Sequence, residues 1–141
     1  MGRLMETNEV TLLGGGALAY LGDAVFELLV RCKAVQSGIT DPGKLNEMAL
    51  RYVRATAQSV GVGCLLPQLT EQESADYRRG RNGAGAHPKS ATVAEYRRAT
   101  GLEALFGALY LRGEQQRAQE LFALYADAVD AWEQQKAEEG L

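Results

Sequence analysis

Cysteine is scarce in this chain of 141 residues, and its two cysteines are isolated from each other. Cys32 and Cys64 lie among apolar residues and have no CxxC or CxxH neighbour. A disulfide framework or a structural zinc site needs more such ligands at short spacings. We therefore expect two buried free thiols without a function of their own.

Long apolar runs and low-complexity segments are also missing. Residues 1–10 carry Arg3, Glu6 and Glu9, and charged residues interrupt every apolar stretch further along. This pattern argues against a signal peptide and a membrane span, so we expect a cytoplasmic protein. With 46% hydrophobic and 23% charged residues, residues 1–141 are expected to form one globular domain with a short N-terminal extension over 1–13.

The alternation of apolar and polar residues that is typical of β-strands is absent, whereas helical spacing recurs. Four long segments carry an apolar stripe at that spacing: residues 17–35, 42–60, 92–112 and 114–136. Glycines from Gly61 onward are expected to end the second of them. The predicted fold is an all-α bundle of about five helices.

Helix starts are marked by residues that accept free backbone N–H groups. Asp41 offers an N-cap in front of Pro42, which tolerates the first helical position. Capping boxes begin at Thr70 and Thr92, each with a Glu three residues later. The first of these boxes opens a short helix that is expected to end at Gly80.

The small net charge of −3 hides an uneven distribution. Residues 76–98 carry six basic and two acidic residues, a net charge of +4, whereas residues 114–141 carry seven acidic and two basic ones. Within the basic part, residues 81–90 (RNGAGAHPKS) are predicted to form a loop. Segregation of this kind predicts one basic face for an anionic partner.

Two acidic residues lie inside the most apolar helical segments. Asp23 belongs to the run LAYLGDAVF and Glu103 to the run LEALFGALY, where burial opposes a charge. Asp23 could cap a helix or pair with an Arg at a packed surface, and the longer Glu103 could reach solvent. Each acid also has a glycine nearby that permits close approach of another helix. We therefore hypothesise that the two carboxylates face one another across two packed helices.

A carboxylate pair in a cleft is a ligand set for a hard divalent cation. Mg²⁺ is expected, because it prefers oxygen ligands, keeps several waters and is often held by only one or two carboxylates and substrate phosphate oxygens. Such an ion can polarise a phosphodiester and activate a water molecule. Glu27, one helical turn after Asp23, could support the site by orienting a metal-bound water, or it could simply pair with an Arg.

Several of these segments resemble one enzyme family. Residues 18–27 (LAYLGDAVFE) resemble the signature helix of ribonuclease III catalytic domains, and residues 103–111 (EALFGALYL) are similar to the family's second acidic helix. Between them, residues 51–53 (RYV), 79–82 (RGRN) and 96–97 (YR) resemble the branch called Mini-ribonuclease III.

The resemblance covers nearly all of residues 14–125 and implies a magnesium-dependent endoribonuclease with Asp23 and Glu103 as catalytic metal ligands. Mn²⁺ is expected to be able to replace Mg²⁺. The family forms homodimers that cut both strands of double-stranded RNA and leave 5′-phosphate and 3′-hydroxyl ends. For the Mini-ribonuclease III branch, the implied substrate is precursor large-subunit (23S) ribosomal RNA.

The chain departs from the larger family members in two ways. They carry acidic residues where this chain has Gly16, Ala19 and Thr100, so only Asp23 and Glu103 carry over and one magnesium per site is expected. Their separate double-stranded-RNA-binding domain is also expected to be absent.

A-form RNA is recognised mainly through its shape, its phosphates and its 2′-hydroxyl groups. The basic segment supplies the predicted contacts, unless it is merely a solvated charged loop: Arg78, Arg79, Arg81, Asn82, Lys89 and Arg97. His87 lies in the same segment and is expected to be a surface residue and not a general base.

Two other functions are compatible with the sequence. A catalytically inactive, ribosome-associated RNA-binding module is one, since three acids of the family are missing. A helical interaction protein whose acids form structural ion pairs is the other. Both would leave RNA uncut, and a pure binding module has no evident reason to keep two costly acids inside apolar helices.

Overall fold

The computed structural model describes residues 4–140, and within that range all the regular structure is helical. This confirms the predicted all-α class, and none of the described helices is both long and apolar enough to cross a bilayer. The fourth and fifth helices are separated by a 3-10 turn, Leu66–Gln68. The α-helices are α1 (Thr7–Thr11), α2 (Gly15–Gln36), α3 (Pro42–Val53), α4 (Ala55–Leu65), α5 (Glu71–Asn82), α6 (Val93–Leu111) and α7 (Gln115–Glu139).

Helices α2 and α6 share the most extensive contact in the fold and touch backbone to backbone. A Cβ atom on Gly22 would overlap the carbonyl oxygen of Glu103, and one on Gly107 would overlap that of Leu18. These contacts explain why both helices keep an interior glycine, which costs about 1 kcal/mol relative to alanine in an isolated helix. Around this pair, α5 packs against α6 and α7 packs against α4.

Phe26 of α2 lies at the centre of the main apolar core. Its ring makes edge-to-face contacts with Phe106 of α6 and with Phe122 and Tyr125 of α7, at centroid distances of 5.2, 5.5 and 5.1 Å. Each such pair contributes about 0.5–1.5 kcal/mol beyond the burial of its surface. These contacts therefore determine which face of α2 is turned toward the core.

Asp41, Thr70 and Thr92 are the predicted N-caps, and the structure confirms all three. The Asp41 carboxylate accepts a hydrogen bond from the backbone N–H three residues along, at 3.0 Å. Thr70 and Thr92 each form a complete capping box with the Glu three residues later. Helix α5 runs slightly past the predicted end at Gly80, to Asn82.

The prediction of one helix over residues 42–60 is wrong, because the chain turns at Arg54. Arg54 has extended backbone angles (φ −62°, ψ 151°), which end α3 and begin α4. The Tyr125 hydroxyl donates to the carbonyl oxygen of Tyr52 at 2.6 Å and so satisfies one of the acceptors that the end of α3 leaves free. Gly61 does not end a helix but lies inside α4, where its missing side chain makes room for the Tyr125 ring.

A buried carboxylate on α5, Asp76, connects the segment before α2 to the rest of the fold. Asp76 is fully buried and accepts hydrogen bonds from Arg79, at 2.8 Å, and from Arg112. Nη1 of Arg79 also donates to the backbone carbonyls of residues 10, 11 and 13 at 2.6–3.1 Å. Two guanidinium groups therefore compensate the buried charge, and one of them holds the main chain that leads into α2.

Both cysteines are free thiols, as predicted, but the expectation that they are buried is wrong. Cys32 is exposed and Cys64 is half-buried. Cys32 lies beside the groove between α2 and α7, and its neighbours Leu28 and Val35 are each 61% exposed. The other helices of the chain therefore leave part of the apolar surface of α2 exposed.

Replacing Gly22 by alanine tests the α2–α6 contact. We expect Gly22→Ala to lower the free energy of unfolding by about 3 kcal/mol or more, because the methyl group must displace the backbone of α6. Gly63 is a matched control, since it also lies inside a helix but has open space around it. Gly63→Ala should raise stability by up to about 1 kcal/mol. Urea unfolding monitored by circular dichroism measures both, and equal effects would contradict the contact.

Candidate active site

Asp23 and Glu103 lie side by side where α2 crosses α6. Asp23 directly follows Gly22, and Gly22 packs against the backbone of Glu103. The two carboxyl groups are close enough to share a hydrogen bond when one of them is protonated. Asp23 is exposed and Glu103 is half-buried. The two unusual acids of the sequence therefore form one pair at the helix crossing.

The acid pair opens into a cleft of about 240 Å³ between α2, α6 and the loop that follows α5. Small residues form much of its wall, and among the residues that the structure describes no Arg, Lys or His belongs to it. The lining residues are Gly16, Ala19, Tyr20, Asp23, Gly83, Ala84, Gly85, Tyr96, Thr100 and Glu103.

The pairing of the two acids changes the charge of Glu103. Burial raises the pKa of the Glu103 carboxyl to about 8, and a hydrogen bond and charge repulsion from Asp23 act in the same direction. Without a cation, the site therefore holds a proton at neutral pH. A divalent cation between the two oxygen ligands would instead stabilise both carboxylates, so this donor set fits Mg²⁺ or Mn²⁺.

Among the described residues of the chain, no third protein ligand joins the pair. Within residues 4–140, no group of three or more His, Cys, Asp or Glu side chains is arranged to hold a metal ion. The remaining ligands of a bound cation would be water molecules and substrate oxygens, which Mg²⁺ accepts readily.

The predicted RNA-binding residues surround the loop that begins beside the cleft. Arg78 and Lys89 are exposed, and Arg81 is half-buried. Arg97 donates to the Arg81 carbonyl oxygen at 3.1 Å and to the Asn82 side chain at 3.3 Å. Arg97 thereby ties the start of α6 to the end of α5, on either side of the basic loop.

Arg79 is the exception among these residues. Both terminal nitrogens of its guanidinium are used inside the fold, by three backbone carbonyls and by Asp76. These hydrogen bonds give Arg79 a role in the fold, and its contact with RNA stays a prediction from the sequence.

Glu27 and His87 lie outside the lining of the cleft. Glu27 accepts a hydrogen bond from Nε of Arg31 at 2.8 Å, which is the ion pair considered for it from the sequence. His87 is exposed in the loop, as expected.

Two tyrosines of the cleft were not anticipated from the sequence. Tyr20 is 87% exposed at the rim, and Tyr96 is half-buried in the wall. Tyr96, Thr100 and Glu103 are spaced by four and three residues along α6, so helical periodicity alone would have placed them on one face.

Comparisons with known proteins identify the family of this chain. A family model of the Ribonuclease III domain matches residues 16–114. The Mini-ribonuclease 3 of Symbiobacterium thermophilum is 48% identical over 114 residues, which cover 80% of this chain and 88% of that protein. The chain belongs to the Mini-ribonuclease III branch of the ribonuclease III family.

A further relative supports the same assignment, and a solved structure shares the fold. The Mini-ribonuclease 3 of Enterococcus faecalis is 45% identical over 113 residues, covering 77% of this chain and 85% of that protein. A crystal structure of a Fusobacterium nucleatum protein matches with a TM-score of 0.73 and 31% identity, over 86% of this chain and 97% of the other. As a member of the ribonuclease III family, the chain is an endoribonuclease that acts on double-stranded RNA.

Three residues without a carboxylate lie beside the acid pair, at positions that the family resemblance singles out. Gly16, Ala19 and Thr100, where the resemblance implies acids in the larger ribonuclease III enzymes, all line the cleft beside Asp23 and Glu103. Members of the family generally depend on divalent metal ions. The described lining of the cleft contains one carboxyl pair, Asp23 and Glu103.

The raised pKa of Glu103 predicts how the stability of the metal-free protein depends on pH. In the unfolded chain Glu103 loses its proton near its ordinary pKa of 4.5, whereas burial in the fold raises the pKa of this carboxyl to about 8. The folded state binds the extra proton between these values, so stability falls as pH rises from about 4.5 to about 8. Urea unfolding in chelator from pH 5 to 8 should show a shallower fall for Glu103→Gln than for the unmodified chain.

The exposed Glu120 serves as the control for this measurement. Its side chain is 55% exposed beside Arg117, so Glu120→Gln should keep the pH dependence of the unmodified chain. Identical slopes for the chain and for Glu103→Gln would show that Glu103 does not retain its proton in the fold.

Proposed function

We propose that this chain hydrolyses phosphodiester bonds of double-stranded RNA with a magnesium ion held by Asp23 and Glu103. The observation that carries the proposal is the adjacency of these two carboxyl groups at the α2–α6 crossing, in a cleft without a compensating cation among the described residues. When bound, the ion would polarise the scissile phosphate and activate a water molecule. Mn²⁺, with similar ligand preferences, is expected to replace it.

The residues of the chain have separate tasks in this proposal. Asp23 and Glu103 bind the cation as carboxylates, so Glu103 must release its proton first. Gly16, Ala19 and Thr100 leave space beside the pair for water and for phosphate oxygens. The products are the 5′-phosphate and 3′-hydroxyl ends that the family resemblance implies.

The basic loop and its flanking helix ends form the proposed RNA-binding face. Arg78, Arg81, Asn82, Lys89 and Arg97 supply cationic and amide donors next to the cleft, where the phosphates of a duplex would pass. Arg79 contributes indirectly by holding the main chain before α2. Local charge of this kind explains how a chain with a net charge of −3 can bind a polyanion.

A homodimer is part of the proposal, and the exposed face of α2 supports it. Tyr20, Leu28 and Val35 lie on this face and are 87%, 61% and 61% exposed. Tyr20 also borders the cleft, so the apolar face continues to the acid pair. A second copy packed here would cover the apolar residues and bring two sites together to cut opposite strands.

The physiological substrate that we propose is precursor 23S ribosomal RNA in the cytoplasm. This step rests on the resemblance to the Mini-ribonuclease III branch. Paired ends of a ribosomal RNA precursor present the A-form backbone that the basic face would contact.

Cleavage of a long RNA duplex tests the enzyme. We expect cleavage with Mg²⁺ and none with chelator, and a rate loss of at least about 100-fold in Asp23→Asn and in Glu103→Gln, because each removes a charged metal ligand. Asp127→Asn is the control, since Asp127 is an exposed acid of α7 outside the cleft. Duplex binding without cleavage by the unmodified chain would favour the binding module, and neither binding nor cleavage would favour the interaction protein.

A charge on the exposed face of α2 tests the dimer. Leu28→Glu should convert the protein to a monomer, because the dimer would bury an unpaired carboxylate. Leu124→Glu is the control, since Leu124 is 39% exposed on α7. Light scattering coupled to size-exclusion chromatography measures the mass of each variant. A dimer that persists in Leu28→Glu would place the interface elsewhere.

A further inference from the structure

The active-site cleft has to accept an anion although its own side chains are acidic or neutral. Its lining contains Asp23 and Glu103 but, among the described residues, no cationic side chain. A metal ion would bind only some of the oxygens of the RNA strand. The other backbone oxygens of that strand need hydrogen-bond donors from the wall of the cleft.

The wall offers three hydroxyl groups as donors, and two of them have another role. Thr100 donates its hydroxyl proton to the carbonyl oxygen of Tyr96 at 2.8 Å. Tyr20 is 87% exposed at the rim, on the face of α2 that we assign to the second copy.

Tyr96 carries the remaining hydroxyl group of the described lining. It is half-buried in the wall of the cleft, and its hydroxyl makes no hydrogen bond with any described residue. It lies two helical turns before Glu103 on the same face of α6, which is about 10 Å along the helix axis. That separation is on the scale of a neighbouring nucleotide of the same strand. Because the side chain is half-buried, part of its conformational freedom is lost before RNA arrives.

We infer that the Tyr96 hydroxyl binds the backbone of the strand being cut, at a nucleotide next to the scissile phosphate. The inference rests on the proposed cleavage at Asp23 and Glu103. A phenol donates to a phosphate oxygen or to a ribose 2′-hydroxyl and, being neutral, does not compete with the metal site for charge. Tyr96 is thus a substrate-binding residue of the cleft.

Removal of the hydroxyl gives the first test. Tyr96→Phe keeps the ring and should weaken binding of a 30-base-pair RNA duplex in chelator, and lower kcat/KM in Mg²⁺, by about 10-fold each. Tyr77→Phe is the control, because Tyr77 is a buried tyrosine of α5 outside the cleft, and its kcat/KM should stay within about twofold. Unchanged binding and cleavage by Tyr96→Phe would overturn the inference.

Singly modified duplexes identify the oxygen that Tyr96 binds. One set carries single phosphorothioates and another carries single 2′-deoxy nucleotides, within two positions of the cleavage site. One modification should cost the unmodified enzyme about 10-fold in binding and cost Tyr96→Phe less than about twofold, because the contact can be lost only once. A phosphorothioate effect identifies a phosphate oxygen, and a 2′-deoxy effect identifies the ribose. Equal costs in both proteins at every position would refute a direct contact.

These outcomes are separable from those of the proposed function. If the unmodified chain does not cleave RNA in Mg²⁺, the proposed function fails, and the inference fails with it. If the unmodified chain cleaves and Tyr96→Phe behaves identically, only the assignment of Tyr96 fails.

Discussion

The direct backbone contact between α2 and α6 is the constraint on which the rest of the structure depends. Because Gly22 and Gly107 have no side chains, the two helices come close enough for Asp23 and Glu103 to share one site. Burial of Glu103 and its closeness to Asp23 both disfavour a negative charge on Glu103 and raise its pKa. A proton and a divalent cation are therefore alternative occupants of the pair, and the geometry of one helix crossing decides both the electrostatics and the metal chemistry.

Features that depend on neighbouring residues could be predicted from the sequence. The N-caps at Thr70 and Thr92 involve only residues three positions away, so the local pattern was sufficient. The acid pair was also predictable, for a different reason. An Asp or Glu inside an apolar helix requires compensation from elsewhere in the fold. Because the chain has two such residues, each with a glycine nearby, they could be predicted to face one another across two packed helices.

Features that depend on distant residues could not be predicted in this way. The turn at Arg54 is associated with the Tyr125 hydroxyl, which bonds a carbonyl 73 residues earlier in the chain. Arg79 looked like a surface arginine because its backbone acceptors lie 66–69 residues away. The exposure of Cys32 depends on which side of α2 the other helices cover. In all three cases the sequence around the residue favoured a different structure from the one that the tertiary contacts impose.

The contact between Arg79 and the segment before α2 has a consequence for how that segment can vary. Arg79 binds carbonyl oxygens of residues 10, 11 and 13, and the main chain presents the same carbonyl groups whatever the side chains are. Thr11, exposed to solvent, could be replaced by most other residues without loss of its hydrogen bond to the guanidinium. Arg79 and Asp76 have no such freedom. The hydrogen bonds of Arg79 therefore place little demand on the side chain of Thr11, whereas Val10 in the same segment is fixed by its burial against Leu18 and Ala108.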